Sequence, residues 1–167
     1  MKTRLLFIGT AIAAIALMQP LGAASTTGNV TVSATVAATA KLTLGTTTVT
    51  FDDKDPDTFG SIAANEGAVS IVAKGKTTTG SSITLTLQAA DDLKSGPSDT
   101  IGIGNVTWTA SGTGFAAGTM SKSSAVSVGS WANSGNRTGS VTFALANSWS
   151  YATGNYSVSA TYTLTAP

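Results

Sequence analysis

The chain has 167 residues, of which only 10% are charged, nine basic and eight acidic, for a net charge of +1. It contains no Cys and no His, which excludes disulfides, thiol nucleophiles, imidazole bases and the common zinc sites. Charge this sparse and scattered leaves no electrostatic footprint for nucleic acid or anionic lipid.

The opening stretch MKTRLLFIGTAIAAIALMQPLGAAS reads as a secretory signal peptide over residues 1–24. Lys2 and Arg4 form a basic start, Leu5 to Met18 an apolar run, and Gly22-Ala23-Ala24 supplies small residues before the cut. The run is shorter than the ~20 apolar residues of a membrane span. No second apolar run follows, so no membrane span is expected after cleavage. Cleavage removes Lys2 and Arg4, taking nine basic residues to seven against eight acidic and the charge to −1. The expected destination is secretion or the cell surface, with the periplasm in transit, on a signal of bacterial type. Residues 25–167 are the size of one domain.

The next segment, residues 28–44, alternates. Val30, Val32, Ala34, Val36, Ala38, Ala40, Leu42 and Leu44 are apolar, with mostly Thr and Ser between them. Alternation is the pattern of a half-buried strand, yet this run is far longer than the usual 5–6 residues. Shorter alternating runs follow: TTVTF, AVSIVAKG, SSITLTLQA, DTIGIG, NVTWTA, SAVSVGSWA, RTGSVTFALA and the closing YSVSATYTLT. A phase change at Gly104-Asn105 predicts a bulge or bend. Thr and Val favour strands, and no stretch has a convincing helical period. The expected fold is all-β, an immunoglobulin-like sandwich of about 7–9 antiparallel strands.

Three features carry candidate chemistry. Asp53, Asp55 and Asp57 have the every-other-residue spacing that begins a calcium loop. Thr58 stands where such a loop needs Gly, and Ala64 where it needs an acid. Asp-Pro-Asp is also ordinary turn chemistry, so a turn is the competing reading and no cofactor other than calcium is suggested. Trp108, Trp131, Trp149 and Tyr151 fill a core or offer a platform to sugar rings. Trp108 and Trp131 sit in strand-like runs, which leaves Trp149 and Tyr151 as the surface candidates. Neither Asp91-Asp92 nor Ser121-Lys122 completes a catalytic arrangement, so no enzyme is expected.

Taken in order, GNVTVSATVAATAKLTL, VTFDDKDPDTFGSI and ATGNYSVSATYTLTAP resemble the secreted pilin-like sandwiches of the spore coat protein U family and related chaperone–usher subunits. The chain lacks the Cys that many of those proteins carry. The resemblance implies a sandwich missing one strand, completed by the leading segment of the next subunit. Val30, Val32, Ala34 and Val36 would then form the donated strand, by β-augmentation. It also implies self-association or partnership with other secreted subunits, and a periplasmic chaperone. A competing reading keeps this segment at home, with a bend at Ala37-Ala38-Thr39 carrying one strand between sheets. The alternative function is a monomeric extracellular carbohydrate-binding or adhesion domain.

Overall fold

The computed structural model describes residues 26–167; the signal peptide expected over residues 1–24 lies outside them. Thr35–Pro167 form one compact unit. Residues 26–34 are exposed throughout and belong to no strand.

The compact unit is all-β, with ten strands among the described residues. They are β1 (Thr39–Leu44), β2 (Ser61–Lys76), β3 (Ser82–Ala89), β4 (Leu93–Ser95), β5 (Asp99–Ile101), β6 (Val106–Ser111), β7 (Gly118–Thr119), β8 (Val126–Ala132), β9 (Gly135–Ala146) and β10 (Ala160–Thr165). One sheet runs β1-β2-β9-β6-β7 and a second runs β10-β3-β8, with β4 and β5 as a small separate ribbon. Every pairing is antiparallel.

The period-2 pattern explains why the sheets stack. Val69, Ile71 and Ala73 of β2 and Val141, Phe143 and Leu145 of β9 meet Ile83, Leu85 and Leu87 of β3 and Val128 of β8 in one buried cluster. Both sheets thus bury one face against the other, a sandwich. Trp108 and Trp131 are 2% and 5% exposed, so both belong to the core. The Trp131 indole donates to the Thr113 carbonyl at 2.7 Å and stands edge-on to Phe115. Gly114 and Gly129 press against the Trp131 ring, and a Cβ at either position would strike it.

Four expected features take a different form. The segment read as extended over residues 28–44 is paired over Thr39–Leu44, and among the described residues 28–38 join no strand ladder. The sheet-switching bend expected at Ala37-Ala38-Thr39 therefore has no strand before it. TTVTF is not a strand either. Glu66 takes the place of a neighbouring strand there, its carboxylate accepting the Thr50 N–H at 2.8 Å and the Thr50 hydroxyl at 2.7 Å. Glu66 can reach because β2 bulges between Ala63 and Ala68, where Gly67 takes φ 63°. The phase change at Gly104-Asn105 is a single 3₁₀ turn, Ile103–Asn105.

Candidate functional site

The two sides of the sandwich are finished differently. On one side the sheets are stitched together by backbone hydrogen bonds. Ala116 N–H donates to the Val128 carbonyl at 2.9 Å, and Ser130 N–H to the Gly114 carbonyl at 3.0 Å. On the other side the free edges of β1 and β10 face each other without any ladder between them. At one end the turn after β2 ties down the chain that follows β10, where Thr78 N–H and the Thr77 hydroxyl donate to the Pro167 carbonyl.

Away from that tie the edges part around a cavity of about 410 Å³. One wall is Leu42 and Leu44 of β1, continued by Val49 and Phe51; the other is Val158 and the start of β10 through Tyr162. The floor reaches core residues Val69, Leu87, Val106 and Phe143. The groove therefore opens directly into the hydrophobic core, between two strand edges with unsatisfied backbone groups. The Glu66 carboxylate, held below its ordinary range chiefly by the Thr50 N–H, anchors the wall that carries Val49 and Phe51.

The candidate donor residues are exposed. Val30, Val32 and Val36 are 86%, 90% and 73% exposed, and Ala34 is exposed as well. Four apolar side chains at alternate positions thus lie open to solvent, and no other segment of the described chain displays so regular a set.

Comparison of the chain with protein-family models, curated proteins and solved structures finds no match.

The acidic loop and the outer aromatics do not form one site. Asp55 shapes a turn, its carboxylate accepting the Asp57 N–H at 2.9 Å and its carbonyl accepting from Thr58 and Phe59. Asp57 accepts the Trp149 indole N–H at 3.0 Å. Asp53, Asp55 and Asp57 do not converge, and among the described residues no group of three or more acids gathers to hold a metal ion. Trp149 is 70% exposed. Tyr151, expected beside it as a ligand surface, instead packs its ring on the core and donates its hydroxyl to the Ala146 carbonyl at 3.0 Å. Of these two residues only Trp149 is exposed, and it stands beside Asp57.

Asp91 and Asp92 serve as structural partners. Lys122 bridges both carboxylates, Lys94 pairs with Asp91, and Asp92 accepts the Ile103 N–H at 2.9 Å. These bonds hold both carboxyls below the usual range and raise the Lys122 ammonium. Glu66 and the groove were beyond sequence reasoning, because their parts are scattered along the chain. The inward phase of Tyr162 was legible in the alternation of β10.

Proposed function

We propose that the chain is an exported, non-enzymatic structural or adhesive subunit that assembles head-to-tail into a surface fibre or coat. Residues 28–36 of one copy lie as a strand in the β1/β10 groove of the next. The observation that carries this reading is the pairing of an exposed, alternately apolar segment with a groove open to the core between two unpaired strand edges. β-Augmentation requires those two parts.

Direction favours a second copy over self-insertion. The start of β1 pairs with Lys76, next to the Pro167 tie, whereas the groove is lined by the far half of β1. The chain thus leaves β1 at the end remote from the groove. Folding back would demand a tight reversal at Ala37-Ala38, which supplies none of the Gly, Asn or Asp that such turns need. A donor at one end and an acceptor toward the other give a heterologous contact, which grows filaments unless the rotation closes.

The test is light scattering on chains starting at Ser25 and at Ala37. Polymers from the longer chain and monomers or unfolded protein from the shorter support the reading. Two folded monomers refute it. Trp149 favours a second reading, a sugar-binding or adhesive surface: its ring is exposed yet oriented by Asp57, as a stacking platform requires. Trp149→Ala should then abolish glycan binding on an array while leaving the thermal midpoint unchanged. Retained binding would refute that reading.

A further inference from the structure

Tyr162 carries the one buried side-chain polar atom left without a hydrogen-bond partner among the described residues. The other aromatic donors are matched. The Trp108 indole donates to the Ala116 carbonyl at 2.9 Å and the Tyr156 hydroxyl to the Ala152 carbonyl at 2.9 Å. The orphan therefore belongs specifically to the groove, where Tyr162 forms part of the β10 wall. Phenylalanine would fill the same space without a stranded hydroxyl, so the isolated subunit carries a destabilising group that buries no extra apolar area. Burial pushes the phenol up to about 12, so it stays protonated and remains a donor over the whole range in which the protein would work.

The hydroxyl is shielded from solvent and has no hydrogen-bond partner in the protein. Relief requires the groove walls to part, and parting β1 from β10 breaks no ladder between them. A strand laid between them brings a row of main-chain carbonyls along the β10 edge. The polar side chains of the leading segment, Thr31, Ser33 and Thr35, fall on the opposite face from its Val and Ala residues. With those apolar side chains in the groove, the acceptor that reaches the inside is the backbone itself.

We propose that the Tyr162 hydroxyl is the acceptor groove's hydrogen-bond donor to the main chain of residues 28–36 supplied by a second copy. This inference rests on the strand-donation reading. It makes the groove selective for an extended peptide over a purely apolar filler, because a filler leaves the hydroxyl stranded.

The consequence is an effect of opposite sign in the free and assembled protein, tested with Tyr162→Phe in the full chain. In a Val32→Asp background, which keeps the subunit monomeric, Tyr162→Phe should leave the denaturant midpoint unchanged or raise it. With Val32 intact, it should raise the concentration for half-assembly about five- to tenfold, the weight of one net hydrogen bond. An unchanged or lowered assembly concentration, with the wild type polymeric, overturns the role of Tyr162 alone. A loss of monomer stability equal to the loss in assembly also overturns it, since the hydroxyl would then have an internal partner. A wild-type chain that stays monomeric while its groove takes up the apolar dye ANS overturns the strand-donation reading itself and assigns the groove to a small apolar ligand.

Discussion

Val32→Asp is the sharpest perturbation of the proposed assembly, because its cost can be worked from the structure. Val32 is 90% exposed, so nearly its whole side chain is available to be buried on docking. Burying a valine contributes about 2 kcal/mol. Aspartate forfeits that and must also lose its charge to enter an apolar groove. Neutralising a carboxyl of ordinary pKa about 3.9 at pH 7 costs about 4 kcal/mol, at 1.36 kcal/mol for each of roughly three units. The sum of about 6 kcal/mol weakens docking about 10⁴-fold.

The assay is light scattering across a concentration series, and pH separates the two parts of the cost. Near pH 4 the neutralisation cost largely disappears and only the lost burial remains, about thirtyfold. Lowering the pH from 7 to 4 should therefore restore much of the assembly of Val32→Asp. Thr31→Asp, on the opposite face of the same strand, should assemble within about 0.5 kcal/mol of wild type. A Val32→Asp chain that assembles within about threefold of wild type at pH 7 would refute the reasoning. So would equal damage from Thr31→Asp.

Trp131→Ala should lower the unfolding free energy by about 3–5 kcal/mol, since it removes a 5% exposed ring from between Gly114, Gly129 and Phe115. Urea denaturation checks this, and a loss under about 1 kcal/mol would show that the site collapses freely. The pH dependence of stability should be flat between about pH 5 and 9, because the chain has no His. Glu66, Asp91 and Asp92 have lowered pKa values, so their contribution is present above the ordinary carboxylate range and is lost as pH falls below about 4. The raised Lys122 acts in the other direction, its contribution present below the ordinary lysine value of about 10.4 and lost as pH climbs past it. Thermal melts at pH 7, 4.5 and 2.5 test the acid limb. Lys122→Met should make that limb shallower, and an unchanged slope would count against the ion pairs as its source.

Alternation made most of the fold legible. Ile83, Leu85 and Leu87 on β3 and Val141, Phe143 and Leu145 on β9 were readable as inward-facing and are buried. The same rule overreached at TTVTF and left the partner of residues 28–36 open, because alternation reports only that a segment suits a sheet face. Whether a partner strand lies beside it depends on distant residues. At Thr50 the partner is the side chain of Glu66, sixteen positions away and made available by a bulge. Tyr151 misled for a related reason. Its segment is irregular, which usually means surface, but its ring turns back onto the core and only Trp149 stays outside.

Edge protection adds an independent line to the proposal. An exposed sheet edge invites pairing, and sheets guard against it with short strands, charges, proline or a covering segment. On the five-stranded sheet, β7 is two residues long and β1 carries Lys41. On the other sheet, β8 is covered by hydrogen bonds from the segment around Gly114 and Ala116. β10 has none of these devices: six residues, ATYTLT, with no charge, no proline within the strand and no covering chain. The two edges remote from the groove, β7 and β8, are thus short or covered, and β1 on the groove carries a single lysine. The unguarded edge is also the one beside the groove and the unpaired Tyr162 hydroxyl. An edge left bare by chance would have no reason to coincide with both. Their coincidence is the pattern expected of an edge kept free for a strand that no other described strand of the same subunit supplies.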